Sequence, residues 1–430
     1  MSYTILTQIT NFFDLANLSK KIVLKRHLKS IIQYICRMTA YSKLTLHNGK
    51  EISIQRFHPW VFSGAIKTSD ANLTDGDIVE IYSAKEQFLG VAHYQKGSIT
   101  GRIISFSKQQ INVDFWIKKI EKAFLYRQFL ELNTASTNVF RLIFGEGDGC
   151  PGLIMDYYDG HVVFQAHSIG MHKNRTDITE ALKAVFKTNL KSVYDKSSET
   201  LPNNYSAGMQ NEFLYGSCDE ELIVLENDVK FYIDFINGQK TGFFIDQREN
   251  RSLLARYSKN KRVLNTFSYT GGFSMYAAKH GCDIIHSVDS SVKAIDLCAK
   301  NAIINNVSNH EGFAADTFDY LKDQGKNYDV IVLDPPAFAK SRDVSHNAVI
   351  GYKRLNQMAL SNIKKGGILF TFSCSGVIDK KLFYNTVTAA AIESRRNLKL
   401  LHTLSQPADH PITPNFPEGE YLKGLAFYVD

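Results

Sequence analysis

The chain has 430 residues, enough for two or three domains, and its apolar (44%) and charged (22%) fractions are those of an ordinary globular protein. The formal net charge is +7, but residues 1–40 contain six Lys or Arg and one acidic residue, so most of the excess lies at the N terminus. Any nucleic-acid surface elsewhere must therefore arise from local clustering of charge. The six cysteines form no Cys-x-x-Cys pair, and no apolar run has the length of a bilayer span. We expect a cytoplasmic protein with no metal site, no disulfide framework and no membrane contact.

Residues 1–38 form a basic extension in which leucines and isoleucines from Leu24 to Ile35 recur at helical spacing. Two interpretations fit this pattern. The extension is either an amphipathic helix that contacts RNA or a membrane surface, or the product of an upstream start codon, with Met38 as the functional start.

Residues 39–112 contain several short runs of β-forming residues separated by glycines, which predict a small β-barrel. Asn48-Gly49 separates two of these runs (residues 44–46 and 52–54), and this dipeptide predicts a type I′ hairpin. Residues 113–226 combine helical runs with short strands and a second hairpin signal at Asp159-Gly160. This mixture is typical of a small α+β domain.

From residue 227 to residue 430, short apolar strands alternate with helical runs, which predicts a parallel sheet with helices on both faces. The predicted strands are residues 263–267, 284–288, 313–315, 330–333 and 368–372. The fold class is therefore α/β, with a Rossmann-like domain preceded by the barrel and the α+β domain.

Glycines and acidic residues follow the first three of these strands. Gly271 and Gly272 form a strand-to-helix turn, where a ligand can approach the backbone at a helix N terminus. Asp289 closes the second strand and Asp316 closes the third, at positions suited to a ribose and an adenine. Each acid alone is also explained as a helix N-cap, but the set favours a nucleotide site.

The fourth strand ends in Asp334-Pro335-Pro336, which is an unusual way to leave a strand. Proline fixes φ and removes a backbone donor, so two prolines in succession form a rigid wall with one carboxylate at its tip. Such a wall is suited to holding a planar base.

Several segments carry a resemblance to a known family. In the C-terminal half they are residues 237–248, 267–273, 334–336, 371–376, 407–411 and 416–424. They resemble the bacterial 23S ribosomal RNA large subunit methyltransferase I family, which are cytosine-C5 enzymes of the class I methyltransferase fold. Residues 41–110 are similar to the family's RNA-binding PUA domain, and residues 140–153 to the start of its central α+β domain. The resemblance therefore covers nearly the whole chain except residues 1–38.

This resemblance implies that S-adenosylmethionine is the cofactor. It places Tyr269 and Gly271 in the first binding loop, Asp289 at the ribose and Asp316 at the adenine. The full set of cofactor-binding residues that it implies is Gln247, Asn265, Tyr269, Gly271, Asp289, Ser290, Asp316, Thr317 and Asp334.

Cys374 follows the fifth strand within Ser373-Cys374-Ser375, which is similar to the motif that carries the nucleophile of RNA cytosine-C5 methyltransferases. Cytosine C5 is a poor nucleophile, and a thiolate that adds to C6 activates it. We therefore expect Cys374 to be the nucleophile and Asp334 to contact the N3/N4 edge of the base as an acid. An isolated cysteine there is also explained as a small buried residue. Many related enzymes have a second cysteine after the Asp-Pro segment, to release the adduct, and this chain has Ala337-Phe338 instead.

The candidate contacts with substrate RNA are Pro335, Pro336, Lys353 and His410. Lys353 shares a predicted helix face with Asn356, and the alternative is that this face is simply solvated. For His410 the alternative is a structural hydrogen bond in a loop. The expected partner is 23S ribosomal RNA, and a homodimer is expected from the family resemblance alone.

Two other functions stay open at this point. A guanine N7 or N2 ribosomal RNA methyltransferase would share the Asp-Pro-Pro strand without a nucleophile, although the guanine-N7 type has asparagine-rich residues where this chain has Cys374. A non-catalytic RNA-binding or ribosome-assembly protein would retain only the fold. The joint presence of Asp289, Asp316 and Asp334 opposes that last function.

Overall fold

The computed structural model of the protein describes residues 41–219, 221–338 and 345–430. The basic extension predicted for residues 1–38 lies outside these residues. Within the described residues the strands form four sheets. No described helix is long and apolar enough to cross a membrane.

The first sheet has six strands in the order β2-β6-β5-β4-β1-β3. Its elements are β1 (Ser42–Leu46), α1 (Ile52–Gln55), β2 (Trp60–Phe62), β3 (Ile66–Ser69), β4 (Ile78–Tyr82), β5 (Phe88–Tyr94) and β6 (Ile99–Ser105). Along β4, Val79 and Ile81 are buried while their neighbours are half-buried, as the two-residue period of a strand requires. This alternation gives the sheet one apolar face and an aliphatic core of its own.

The hairpin predicted at Asn48-Gly49 is wrong. The residues after this turn form α1 rather than a strand, and Ile54 of α1 is buried in the core of the first sheet. Both edges of β1 are already paired, with β3 antiparallel on one side and β4 parallel on the other. A turn dipeptide carries no information about which strand occupies the neighbouring edge.

The second sheet has five strands in the order β11-β10-β9-β8-β7. Its elements are α2 (Val113–Phe129), β7 (Val139–Phe144), β8 (Leu153–Tyr158), β9 (His161–Ala166), α3 (Ile169–Lys173), α4 (Arg175–Phe186), β10 (Ser192–Asp195), α5 (Asn203–Ser206) and β11 (Glu212–Gly216). The hairpin predicted at Asp159-Gly160 is confirmed, because β8 and β9 pair antiparallel across this turn. Both turn residues have positive φ (46° and 93°), as a type I′ turn requires.

A two-stranded hairpin follows, made of β12 (Leu222–Glu226) and β13 (Val229–Ile233). The third large sheet has seven strands in the order β16-β15-β14-β17-β18-β20-β19. Its strands are β14 (Arg262–Thr266), β15 (Ile284–Asp289), β16 (His310–Ala314), β17 (Val330–Leu333), β18 (Gly367–Ser373), β19 (Leu398–Leu404) and β20 (Lys423–Val429). Its helices are α6 (Arg248–Arg256), α7 (Gly272–Lys279), α8 (Val292–Ile304), α9 (Thr317–Gln324), α10 (Ser345–Asn362) and α11 (Lys380–Glu393). The predicted α/β class is confirmed, and each predicted strand lies within three residues of an observed one.

The connection between β19 and β20 touches all three large sheets. Phe416 packs edge-on against Trp60 of the first sheet, with ring centroids 4.7 Å apart. Asp409 accepts a hydrogen bond from the backbone N–H of Arg141 in β7 (3.0 Å) and pairs with Arg248 of α6 (2.5 Å). This connection therefore fixes the second sheet and the seven-stranded sheet to each other.

Asp409 is fully buried, and so is its partner Arg248. Burial alone would raise the pKa of the Asp409 carboxyl, but the Arg248 guanidinium, and then His410, hold that pKa well below its usual range. His410 contributes directly, because its Nδ1 lies 3.1 Å from Oδ1 of Asp409. The carboxylate is therefore ionised inside the protein, with each of its oxygens bound.

We expect Asp409→Asn to lower the free energy of unfolding by about 3–5 kcal/mol, because it leaves Arg248 without the buried carboxylate that binds it and with only the exposed Glu249 at 3.7 Å. Asp159→Asn is the matched control. Asp159 pairs with Lys191 (2.6 Å) where both side chains are about half exposed, so its loss costs at most ~1 kcal/mol. Urea unfolding of both variants measures the difference. Equal losses would contradict the central role of Asp409.

Candidate active site

The carboxyl ends of β14 to β18 meet at one edge of the seven-stranded sheet, because these five strands are parallel. The strand order changes direction between β14 and β17, and ligands of open α/β sheets bind outside such a point. The residues predicted from the sequence that follow these strands are Gly271, Asp289, Asp316, Asp334 and Cys374. The sheet therefore brings both the predicted cofactor residues and the predicted catalytic residues to one edge.

The loop after β14 has a strained backbone that Asp289 holds in place. Phe267, Tyr269 and Gly271 all have positive φ (53°, 45° and 76°), which disfavours residues other than glycine. Asp289 accepts hydrogen bonds from the backbone N–H groups of Tyr269 and Ser291, both at 3.0 Å. The carboxylate thus fixes the loop in one conformation before any ligand binds.

Gly271 is required at its position in this loop. A Cβ atom there would lie 2.2 Å from Sγ of Cys298, which is buried in the core. In the same loop the hydroxyl of Ser268 is buried and finds no hydrogen-bond partner among the described residues. A buried polar atom of this kind normally has a partner, so the loop fits a bound polar ligand.

Asp316 caps the N terminus of α9. Its Oδ1 accepts hydrogen bonds from the N–H groups of Phe318 (2.8 Å) and Asp319 (3.1 Å). Asp316 is therefore a helix N-cap, as the alternative interpretation of the sequence predicted. The side chain is nevertheless exposed, and its other oxygen has no hydrogen bond within the described part of the chain. Asp316 is therefore able to cap the helix and to accept a hydrogen bond from a ligand.

The remaining predicted cofactor residues differ in exposure. Ser290 is exposed beside Asp289, whereas Asn265 and Thr317 are buried. Asn265 donates a hydrogen bond to the Ser274 hydroxyl (2.9 Å), so it ties β14 to α7. Its geometry is that of a support for the loop.

Asp334 lies at the tip of β17, followed by a buried Pro335 and an exposed Pro336. Burial raises the pKa of its carboxyl to about 7, and the negative charge of Asp246 adds to the shift, while a hydrogen bond from Gln247 opposes it. A carboxyl group with this pKa is about half protonated at neutral pH. It is therefore able to donate a proton or a hydrogen bond under physiological conditions.

Asp246 has the opposite ionisation. Its Oδ2 accepts a hydrogen bond from the Tyr421 hydroxyl (2.6 Å), and its Oδ1 is buried with no partner among the described residues. Burial would raise the pKa of Asp246, but the charges of Lys240 and then His410 keep that pKa below its usual value. Two neighbouring carboxyl groups are thus kept in different protonation states.

Cys374 is half-buried directly after β18. Burial raises the pKa of its thiol, and the charge of Asp334 raises it further, while Lys240 acts in the opposite direction. The Asp334 carboxyl is therefore close enough to influence the ionisation of the thiol. No group of three or more His, Cys, Asp or Glu side chains suited to a metal ion occurs within residues 41–219, 221–338 and 345–430.

A cavity of about 360 Å³ lies between the second sheet and the seven-stranded sheet. Its lining includes Arg141, Gln165, His167, Lys196, Lys240, Phe244, Asp246 and Tyr421. His167 is exposed in this cavity, yet the surrounding protein desolvates its ring and lowers its pKa to about 4, with Arg141 adding to the shift. The walls of the cavity thus carry positively charged side chains, a neutral imidazole and aromatic rings. Asp246 lines this cavity and is also a neighbour of Asp334.

The predicted RNA contacts lie in different surroundings. His410 is buried against the rings of Phe144 and Tyr421, and its Nδ1 contacts Asp409, which agrees with the structural alternative. Lys353 is half-buried and pairs with Glu393 of α11 (2.9 Å). Asn356 is fully buried, so the interpretation of this helix face as a solvated or RNA-contacting surface is wrong for Asn356.

Four side chains of this site were not predicted from the sequence, namely Lys240, Asp246, Tyr421 and Lys423. All four lie in segments quoted for the family resemblance, residues 237–248 and 416–424. The segments were therefore identified, but the approach of these side chains to Asp334 and Cys374 depends on tertiary contacts that no local pattern encodes.

Comparisons with known proteins agree with this architecture. The family model described as a PUA-like domain matches residues 44–106, and the model described as an S-adenosylmethionine-dependent methyltransferase matches residues 175–427. A similar solved structure is SMU.776, a methyltransferase crystallised with SAH, with 26% identity and a TM-score of 0.77 over 90% of this chain and 99% of that one. An S-adenosylmethionine-dependent methyltransferase from Streptococcus mutans is similar to the same extent, at 26% identity and a TM-score of 0.76, with the same coverage.

Curated relatives are similar over most of the chain. The ribosomal RNA large subunit methyltransferase I of Aeromonas salmonicida is 39% identical over 388 residues, which is 88% of this chain and 97% of the relative. The protein of the same name from Vibrio vulnificus is 38% identical over 393 residues, 89% of this chain and 98% of the relative. The chain therefore belongs to the ribosomal RNA large subunit methyltransferase I family of S-adenosylmethionine-dependent methyltransferases.

Proposed function

We propose that this chain methylates C5 of a cytosine in 23S ribosomal RNA through a covalent adduct between Cys374 and C6. One observation carries the proposal. A thiol and a carboxyl group with a pKa of about 7 follow the adjacent strands β18 and β17, and the charge of the carboxyl group raises the pKa of the thiol. Covalent activation of a pyrimidine needs this pair, a nucleophile for C6 and an acid for N3.

The loop and acids at the sheet edge fit S-adenosylmethionine, which supplies an electrophilic methyl group when bound. We assign Tyr269 and Gly271 to the binding loop, Asp289 and Ser290 to the ribose, and Asp316 to the adenine. The orphaned hydroxyl of Ser268 and the free oxygen of Asp316 support this assignment, because both await a polar partner. Asn265 supports the loop through its hydrogen bond to Ser274, and Thr317 is buried at the start of α9. Gln247 is connected to the site through its hydrogen bond to Asp334.

Cys374 and Asp334 divide the first half of the reaction between them. The Cys374 thiolate forms a bond to C6 of the cytosine, while protonated Asp334 gives its proton to N3. This addition moves the C5–C6 π electrons into a C4–C5 double bond and the C4–N3 π electrons to N3, and the C4–C5 pair then forms the bond from C5 to the methyl carbon. The electron pair of the methyl–sulfur bond that breaks would stay on the sulfur of the cofactor, which would leave as S-adenosylhomocysteine. Asp334 has to be protonated for this step, which its raised pKa allows at neutral pH.

The second half restores the aromatic base. A base removes the proton from C5, the C5–C6 double bond forms again, and the sulfur of Cys374 leaves as a thiolate. The proton on N3 returns to Asp334, which restores the neutral base and the protonated carboxyl group. Ala337-Phe338 provides no second thiol for this step. We assign the proton transfer to water that enters from the cavity beside Asp246.

The PUA-like domain and the cavity favour a folded RNA as substrate over a free nucleotide, because both add contact area beyond the reacting base. Attack on C6 requires the face of the base, so the target has to leave its stack. Pro335 and Pro336 are assigned to the wall against which the base rests. No specific observation favours the guanine alternative, and membership of the enzyme family opposes a non-catalytic role.

Incubation with labelled S-adenosylmethionine and 23S RNA from a strain that lacks the enzyme should yield 5-methylcytidine as the labelled nucleoside. The reason is that only a pyrimidine uses a thiol for activation. Digestion followed by mass spectrometry identifies the product. Recovery of 7-methylguanosine or N2-methylguanosine would overturn the cytosine assignment.

Cys374→Ala should lower kcat on the order of 10³- to 10⁶-fold, as loss of a nucleophile does in other covalent enzymes. It should also abolish the covalent complex with RNA that contains 5-fluorocytosine, in which the fluorine blocks removal of the C5 substituent. Cys218→Ala is the control, since Cys218 is also half-buried but lies in the segment before β12. A covalent complex that persists in Cys374→Ala would disprove the nucleophile.

The reacting form, with Asp334 protonated and Cys374 ionised, is a minority species because the pKa of Asp334 lies below that of the thiol. Its population rises with pH up to about 7 and is then constant up to the pKa of the thiol, because loss of the Asp334 proton and formation of the thiolate cancel. Above the pKa of the thiol the population falls. We expect kcat/KM to rise with pH and level off near 7. Asp246→Asn removes the charge that helps to raise the pKa of Asp334, so this bend should move to lower pH. A bend that stays in place would contradict the coupling between Asp246 and Asp334.

A further inference from the structure

Lys423 is a buried lysine next to the candidate nucleophile. It begins β20, its register partner in β18 is Ser373, and its side chain is only 5% exposed. Lysine is almost never this buried without a counter-charge. Yet Lys423 forms no ion pair with any carboxylate of the described residues.

Two of the three N–H donors of Lys423 are accounted for. Its Nζ donates to the carbonyl oxygens of Ser375 and Tyr421, both at 2.6 Å. Ser375 directly follows Cys374, and Tyr421 binds Asp246 through its hydroxyl. The ammonium group therefore ties together the turn that carries the thiol and the segment that carries the ionised carboxylate.

The charges around Lys423 identify its missing partner. Burial lowers the pKa of Lys423 to about 8, and the groups that oppose this shift are Cys374 first, then Glu420 and Asp379. Glu420 is paired with Lys380 (2.5 Å), and Asp379 caps α11 by accepting the N–H of Leu382 (2.7 Å). The Cys374 thiol is the one group among these three that forms no ion pair and no side-chain hydrogen bond with another residue of the described structure.

We propose that Lys423 is the positioning residue of Cys374, which holds the Ser373–Ser375 turn and stabilises the Cys374 thiolate with its buried ammonium group. The inference rests on the proposed function for its catalytic meaning, but the thiolate itself forms without RNA. When sulfur bonds to C6 its negative charge is lost, and when sulfur is expelled the charge returns beside Lys423. The same ammonium therefore lowers the free energy of the nucleophile and of the leaving group, with no proton transfer to or from Lys423.

Several other groups also act on the thiol. Burial raises the pKa of Cys374, Asp334 and Asp246 raise it further, and Lys240 lowers it. Tyr352 of α10 stays neutral, because burial raises its pKa to about 12. Lys240 is exposed, so solvent and salt screen its charge, whereas the charge of Lys423 acts inside the protein. Lys423 is thus a cation inside the protein, where its charge is not screened, and it acts against the two carboxyl groups that raise the pKa of the thiol.

The test is the pH dependence of Cys374 alkylation by iodoacetamide, followed on the Cys374 peptide by mass spectrometry in the full-length protein. Lys423→Met should raise the apparent pKa of the thiol by about one unit and lower the alkylation rate at pH 7.5 about tenfold, since one pKa unit is a tenfold change. Lys423→Arg retains a cation that does not deprotonate in this range. It should restore the rate at pH 7.5, and its alkylation profile should lie at lower pH than that of the wild type, in which Lys423 loses its proton near pH 8.

Alkylation profiles in Lys423→Met that match the wild type would overturn the proposal. So would equal loss of reactivity in Lys423→Met and Lys423→Arg, which would indicate a packing role alone. If Lys423→Met does not fold, as judged by circular dichroism and S-adenosylmethionine binding, the Lys423→Arg profile decides. It must be shifted to lower pH than the wild type, and an unshifted profile disproves the electrostatic role.

This experiment separates the two proposals. Methylation by Cys374→Ala would remove the covalent mechanism, yet the alkylation profiles would still report whether Lys423 sets the thiol pKa. Conversely, an inert Lys423 would leave the Cys374 nucleophile in place and remove only its proposed electrostatic partner.

Discussion

The buried carboxylate of Asp409 is the interaction on which the arrangement of the site depends. It binds the Arg248 guanidinium, the backbone N–H of Arg141 and the ring of His410, which belong to three different segments of the chain. Arg248 directly follows Asp246 and Gln247, the residues that act on Asp334. A change at Asp409 would therefore move the electrostatic environment of Asp334 as well as the contact between the second sheet and the seven-stranded sheet.

A buried ion pair of this kind contributes less to net stability than its short distances suggest, because both charges have lost their hydration. Its main effect is to destabilise any other arrangement of the segments that it joins. Any arrangement that separates Arg248 from Asp409 leaves a charge unpaired in the interior, which costs several kcal/mol. The same reasoning applies to Arg251, whose guanidinium is paired with a buried Glu226 at 2.7 Å. Two such pairs anchor α6, and α6 in turn positions the segment that carries Asp246.

The two carboxyl groups of the site show how position alone creates different chemistry. Asp246 has the Tyr421 hydroxyl and the Lys240 charge beside it and stays ionised, whereas Asp334 has Asp246 as a neighbour and holds its proton to about pH 7. The surroundings thus give two aspartates different pKa values, as in other enzymes that need an acid and a base together. The sequence alone predicts Asp334, because it ends a strand of a parallel sheet and such ends converge by geometry. It does not predict the role of Asp246, which depends on a segment before the first strand folding back over the sheet edge.

The same distinction separates the other successes and failures of the sequence analysis. The five predicted strands and the edge residues follow from hydrophobic periodicity and from the rule that parallel strands share a carboxyl edge. The hairpin prediction at Asn48-Gly49 was wrong because tertiary structure decides which strands pair at the edge of a sheet. The prediction for Asn356 was wrong because spacing on a helix shows which residues share a face but not which face is buried. The proximity of Lys423 to Cys374 was not predicted for a similar reason, because it results from the antiparallel register of β20 against β18.

That register has a consequence for a cytosine-C5 site with a single cysteine. A thiol flanked by Asp334 and Asp246 is disfavoured as a thiolate, both at the start of the reaction and when it must leave C6. Enzymes with a second cysteine assist the release step with that thiol, and here residues 337–338 supply none. Antiparallel pairing places a cation, rather than another nucleophile, at the foot of the turn that carries Cys374. A fixed charge acts on the thiolate in both directions of the C–S bond, so the same residue serves attack and release without a change of protonation.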